Sequence, residues 1–227
     1  MSQFATTKLI AETTQGGSVR REEITARLVW ISKREAWAFA RQWRRHARVK
    51  GGGTASDMAE YGKLAAKRWR HLQAQGYIVS SLPELKGRIK RDPESELGIA
   101  LSVMVTSARG KDQVAGFAFM RRTYINHLVL EFLSVSPRLK GAVKGTGVRL
   151  LESIAWLAVQ IGADEVWGEC TKDSQSFYAN IKAKYCPVNK PRRDEVIQPA
   201  AMIQDHFHFS GSELQILAQN ARIRLLR

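Results

Sequence analysis

Cysteine is scarce in this 227-residue chain, which has two, Cys170 and Cys186. Two are too few for a disulfide framework, and no Cys/His grouping has the spacing of a zinc site, so the expected setting is a reducing cytoplasm. Long apolar runs are absent as well. No stretch reaches the roughly 18 apolar residues of a membrane span, and the opening MSQFATTKLIAETTQGGSVRREE lacks a signal-peptide core, so neither a membrane partner nor export is expected. Acidic side chains are in deficit, with 21 Asp and Glu against 36 Lys and Arg and a formal charge of +15. A field of that sign favours nucleic acid, a phosphorylated cofactor or an acidic protein without choosing among them; the plain alternative is a basic surface that serves solubility.

What is present suffices for one well-buried core, since 44% of the residues are hydrophobic. Residues 1–22, polar and glycine-containing, are expected to be a flexible lead-in, and 23–227 a single domain. Strands are expected at 24–31, 97–105, 113–122, 126–135 and 164–170, where β-branched and aromatic residues concentrate, with an edge strand at 205–210. Ser32 with Glu35 three residues on forms a capping box that opens a first helix. Ala36, Phe39, Ala40, Trp43 and Ala47 share one face of that helix, and Arg34, Arg41, Arg45 and Arg48 the opposite one. A second helix is expected from about Ser56 to Gln75, stopped by Gly76. The span 77–96, with Pro83, Gly87 and Pro93, reads as a long connection, functional or holding a short element of its own. Short links among the three middle strands predict an antiparallel meander, so the fold class is α/β (α+β): a mixed, mostly antiparallel sheet with helices on its faces.

The most informative stretch is LEFLSVSPRLKGAVKGTGVRLLESIAWLAVQIGADEVWGEC, residues 130–170. A strand ends at Pro137; Lys140, Gly141, Lys144, Gly145, Thr146 and Gly147 follow; a helix starts near residue 147; a second strand closes a βαβ crossover that makes 126–135 and 164–170 parallel neighbours. A helix start presents unpaired amides and a partial positive charge, and glycines let a phosphate approach the backbone. The order is not that of a nucleotide P-loop, because the lysine precedes the last two glycines and no Ser/Thr follows to hold magnesium; the third glycine of a dinucleotide fingerprint is missing too.

The same stretch, followed by SQSFYANI, resembles the Gcn5-related N-acetyltransferases, the GNAT family. Val135-Ser136-Pro137 matches the Val-x-Pro strand end, Gly145-Thr146-Gly147 the end of the cofactor loop, and Phe177-Tyr178 the aromatic pair on the next helix. The order of elements from Ile24 onward is similar to the family's, so the resemblance covers most of the chain. It departs at Ala142, where the family has Gln or Arg; in a loop about two residues longer than usual; at Thr171, in place of an asparagine; and in ANIKAKY after the aromatic pair.

The resemblance implies a GNAT-like fold and acetyl-CoA as donor, its pyrophosphate on the amides of residues 141–147 near Lys140 and Lys144, and its arm along Leu133 and Val135 and near Thr171. The acceptor is then an amine on a protein, a small molecule or an aminoacyl-tRNA. Tyr178 is the candidate general acid for the leaving thiolate, against a plain packing role. Glu131, placed by period two on the face of Leu133 and Val135, is the candidate base or else a structural partner of an arginine. Trp37 beside Arg34, Arg41, Arg45 and Arg48 would suit a tRNA or DNA backbone with a stacked base; the plain reading is an aromatic packed under arginine stems. Two other functions stay open: a DNA-modification protein similar to phage Mom, and a nucleic-acid-binding module without catalysis.

Overall fold

The computed structural model describes residues 2–15, 17–32, 34–35, 38, 67–107, 110–139, 142–170, 172–185, 206–221 and 223–225. Along them the elements run β1 (Ser2–Gln15), β2 (Ser18–Trp30), a helix α1 at 67–74, α2 (Leu82–Arg91), β3 (Leu97–Thr106), β4 (Asp112–Arg122), β5 (His127–Val135), β6 (Val143–Lys144), α3 (Thr146–Gln160), β7 (Glu165–Glu169), α4 (Lys172–Tyr185), β8 (His206–Ser210), α5 (Gly211–Asn220) and β9 (Arg224–Leu225). One sheet holds the strands in the order β6-β1-β2-β3-β4-β5-β7-β8, with β9 also on β1. Among these strands β5 and β7 are the parallel pair and the rest run antiparallel, so the expected mixed sheet and meander are present.

Both faces are covered. On one, Leu28, Leu101, Met120 and Leu130 pack under Leu150, Ile154 and Leu157 of α3 and Leu214 and Leu217 of α5. On the other, Val29, Ala100, Phe117 and Phe132 pack with Trp69 of α1. The α3 residues fall at helical spacing along one stripe, and each fully buried leucine or isoleucine contributes about 1.5–3 kcal/mol. Where α3 crosses the sheet it comes so close that a Cβ on Gly116 of β4 would lie 2.7 Å from Thr146 Cγ2 and 2.8 Å from Leu150 Cδ1.

One expectation is corrected. The lead-in expected over 1–22 is instead β1 and the start of β2, a long hairpin paired from Ser2↔Trp30 to Gln15↔Ser18. Its inward residues Ala5, Thr7 and Leu9 are buried at period two, but two of them are small or polar, and this hides the pattern from a hydrophobic reading. The span 77–96 holds the short element allowed for there: an isolated bridge from Ile78 to Gly98 and the helix α2. Ser81 caps α2 by accepting from the Glu84 amide, and Pro83 sits in the first turn, where its missing N–H costs nothing. Two local expectations hold. Ser32 and Glu35 form the reciprocal capping box, with the Ser32 amide donating to Glu35 Oε2 at 2.7 Å and the Glu35 amide to Ser32 Oγ at 3.3 Å. Gly76 follows α1 with φ +69°, the left-handed turn that stops a helix.

The crowding at Gly116 and the open space at Gly87 predict opposite outcomes for the same substitution. Gly116→Ala forces a methyl against α3 and is expected to cost about 1–3 kcal/mol. Gly87→Ala, in the body of α2 with nothing within 4 Å of the new Cβ, should stabilise by about 0.5–1 kcal/mol through the helix preference alone. Urea unfolding of the two variants checks both signs.

Candidate functional site

The site starts from a gap in the sheet. β5 and β7 pair over three positions, His127↔Glu165, Leu128↔Val166 and Val129↔Trp167, and beyond these no described strand pairs with β5 on that side. The break coincides with a bulge. Facing β4, Leu130 pairs with Met120 and Phe132 with Phe119, which leaves Glu131 as the extra residue. A bulge bends its strand and shifts the alternation of its backbone groups. Past it, Ser136 donates its amide to Ala115 O at 2.7 Å. Antiparallel alternation then turns the N–H and C=O groups of Leu133 and Val135 away from β4, toward the gap. Both residues stand where an extended chain could pair.

The glycine loop borders the same gap. Gly145 is the N-cap of α3 with φ +86°, and no side chain among the described residues caps the helix, so the amides of its first turn have no side-chain acceptor among them. The helix opens at Thr146, slightly earlier than expected. Gly147 has a different reason to be glycine from the one expected: a Cβ there would lie 3.2 Å from the Phe177 ring and 3.7 Å from Val135 Cγ1, so the bare backbone makes room for an aromatic ring of α4 and not directly for a phosphate. Arg149 anchors the first turns of α3. It donates to Lys8 O at 3.0 Å and Asn220 O at 3.1 Å and pairs with the fully buried Glu152, tying the helix to β1 and α5.

Lys144 is not loose charge around the loop. It lies on β6 opposite Ile10 of β1, with its Nζ 3.6 Å from Glu12 Oε2. Arg21's hydrogen bond first, and Lys144's charge with it, hold the Glu12 carboxyl below its ordinary range. Lys140, Gly141 and Thr171 lie outside the described residues, as do Trp37, Arg41, Arg45 and Arg48; of the arginine stripe, Arg34 is described, exposed between Ser32 and Glu35 of the capping box.

Glu131 does not share the face of Leu133 and Val135. The bulge breaks the period-two count and sets Glu131 beside Phe132, on the side of α1, where one oxygen accepts from Arg121 Nε at 3.1 Å and the other pairs with Arg68 of α1. Arg121 in turn reaches Glu96 at 2.7 Å. Tyr178 lies on the opposite face. Its ring stacks on Phe207 of β8 with centroids 3.9 Å apart and 6° between the planes, and meets Phe177 edge-on at 4.9 Å. Burial first, and the neighbouring Cys170 second, push its phenol far above the ordinary tyrosine range, so it keeps its proton throughout neutral conditions. Sequence reasoning gave no role to the residues of β8, yet Phe207 seats the phenol. The alternation in DHFHFS was the signal that could have found it.

No protein-family model matches the chain, and no curated protein matches it. Solved structures do resemble it. One, from Desulfovibrio desulfuricans and assigned to the GNAT family of acetyltransferases, is 10% identical with a TM-score of 0.48, over 82% of this chain and 98% of its own. A GNAT-family acetyltransferase from Staphylococcus aureus Mu50 is 12% identical with a TM-score of 0.43, again over 82% and 98%. An aminoglycoside 6'-N-acetyltransferase complexed with coenzyme A is 11% identical with a TM-score of 0.39, over 81% and 96%. The strand order, the glycine start of α3 and the parting of β5 and β7 are the features that mark the fold. By these the chain has a GNAT-like fold.

Proposed function

We propose that the protein is an N-acetyltransferase that takes the acetyl group from acetyl-CoA and gives it to a primary amine. The observation that carries this reading is the gap itself: outward-turned backbone on Leu133 and Val135 beside an uncapped helix start at Gly145. An extended arm with amide groups can add to β5 as a strand, and an anionic diphosphate can sit on the first-turn amides of α3. The residues present fit such a donor, since the loop has no acidic side chain in the first turn of α3 to repel it. Lys140, Gly141 and Thr171 belong to the same proposed contact surface.

Bound there, acetyl-CoA supplies a thioester whose acyl group is transferred and whose sulfur leaves as a thiolate. The chain's part is positioning and proton handling. The Leu133 N–H, fixed by its strand, would donate to the carbonyl oxygen as charge gathers on it. Tyr178 would hold a proton in reserve on the sulfur's side, and its burial keeps that proton from solvent until a strong base is close. Glu131, with its oxygens held by Arg121 and Arg68, would fix the bulge and the approach from the α1 side. The acceptor is an amine of a class these residues leave open.

Coenzyme A is expected to raise the melting temperature, since a ligand at about 100 times its dissociation constant adds about 2.7 kcal/mol. Gly145→Val, which puts a β-branched residue at φ +86°, should abolish the shift. Retention of the full shift in that variant would move the donor site elsewhere. Tyr178→Phe should leave coenzyme A binding intact and lower turnover by roughly 10²- to 10⁴-fold; equal turnover would reduce Tyr178 to packing. The same variant tests the phenol through stability. Because its folded pKa is raised, its contribution is complete below the unfolded value of about 10 and is lost as pH rises above it. Tyr178→Phe should therefore flatten the alkaline fall of melting temperature beyond about pH 10.

A further inference from the structure

At the bulge four charged side chains stand in a row of alternating sign, and its members are not held alike. Glu96, just before β3, comes first, then Arg121 of β4, Glu131 of β5 and Arg68 of α1: Arg121 Nη1 lies 2.7 Å from Glu96 Oε1, Arg121 Nε donates to Glu131 Oε1 at 3.1 Å, and Arg68 pairs with Glu131 Oε2. Arg121 joins two carboxylates, and its side chain is 19% exposed. Arg68 is held at one point. Glu131 is its ion-pair partner among the described residues, and its side chain is 56% exposed. Such a pair opens at little cost, because water takes up the guanidinium as it leaves.

Glu131 stands where an acceptor must arrive. It lies two positions past Val129, the last residue of β5 to pair with β7, and two before Leu133, whose backbone faces the gap. The surface beside it is aromatic: Phe132 follows it in the chain, Phe119 pairs with Phe132 across the ladder with ring centroids 6.2 Å apart, and Trp69, the residue after Arg68, lies 5.2 Å from Phe119. Phe119 is half-buried, so part of its ring meets solvent. A carboxylate next to aromatic rings attracts a cation through both. With Arg68 drawn aside, Glu96 and Glu131 outnumber Arg121, and the row becomes a net negative spot on a chain whose formal charge is +15.

We propose that Arg68 occupies the seat of the acceptor's ammonium: the incoming amine takes Glu131 Oε2 from it, and the guanidinium moves out to water. The inference rests on the acyl-transfer reading and names its substrate class, a di- or polyamine. One ammonium replaces Arg68 at Glu131, two residues from Leu133; a second meets Glu96 at the other end of the row, and the methylenes between them cover Phe119. Arg121 stays and keeps Glu131 oriented through Oε1. An amine with a carboxylate or phosphate beside its nitrogen brings that anion against the two glutamates, which disfavours it. Arg68 is thus a positioning residue that competes with the substrate and so sets KM. A brace would act with the opposite sign, since its removal would weaken the amine's seat.

The test uses the full chain, thiol release from acetyl-CoA with spermidine, 1,4-diaminobutane and glycine as acceptors, and calorimetry with spermidine and with coenzyme A. Arg68→Gln should bind coenzyme A as the wild type does and lower KM for spermidine by about two- to fivefold with kcat nearly unchanged, the factor that one half-exposed ion pair sets. Arg70→Gln removes the same charge from the same helix without touching the Glu131 contact, and should leave KM as it is. Glu131→Gln should raise KM for spermidine roughly tenfold, and in the double variant the gain from Arg68→Gln should vanish, because both residues act at one contact. A KM in Arg68→Gln equal to or above that of the wild type, or an equal fall in Arg70→Gln, would overturn the proposal. So would glycine used better than spermidine, or a wild type that binds coenzyme A and acetylates neither polyamine. A wild type that fails to bind coenzyme A would overturn the acyl-transfer reading instead; the seat is then judged by calorimetry alone, where spermidine binding to Arg68→Gln no tighter than to the wild type would remove it.

Discussion

The structure depends on one constraint: a strand in the middle of a sheet must pair its backbone on both sides, and β5 does so for only part of its length. Up to Val129 it has β4 on one side and β7 on the other; after the extra residue Glu131 it keeps β4 and loses β7. Unpaired backbone groups inside a sheet are costly unless water or a ligand meets them. Every feature of the site is arranged about that opening. The α3 start lies at its mouth, Phe177 lines it against Gly147 and Val135, Tyr178 stands on one face and the Glu131 ion pairs on the other.

The opening is braced from outside. β1 reaches the glycine loop through β6, and Arg149 carries the start of α3 onto Lys8 O and Asn220 O, so the N-terminal hairpin and the C-terminal helix both hold the loop in place. At the closed end, Glu165 between His127 and His208 ties β5, β7 and β8 together where they still run side by side. Gly168, one residue past the last paired position, allows the close approach where the strands begin to part, since a Cβ would lie 2.6 Å from Leu130 O. The gap is therefore bounded by fixed points at both ends, which suits a site that must hold a reacting atom in place.

Much of this was legible in the residues, and the misses have physical causes. The meander, the βαβ crossover and the capping box at Ser32 follow from period and cap chemistry and stand as expected. β1 was missed because its buried positions include Ala5 and Thr7, which carry little hydrophobic signal. α2 was missed because Pro83 and Gly87 look like breakers, although Ser81-x-x-Glu84 and the spacing of Leu82, Leu85 and Ile89 announce a helix. The bulge could not be read at all. One extra residue changes no composition, yet it moved Glu131 to the other face and into the hold of two arginines. Tyr178 was legible as a residue and not as a geometry, since its seat on Phe207 joins segments nearly thirty residues apart in the chain.

The central claim is that the backbone of β5 beyond the bulge is an unfilled pairing edge that a strand-like donor completes. Amide hydrogen exchange at Leu133 and Val135, followed with and without coenzyme A, tests it most directly. The two amides are expected to exchange fast in the free protein, faster than that of Ser136, which is bonded to Ala115, and to become protected when coenzyme A is added. Slow exchange at both positions in the free protein, or rates that coenzyme A leaves unchanged, would contradict the account.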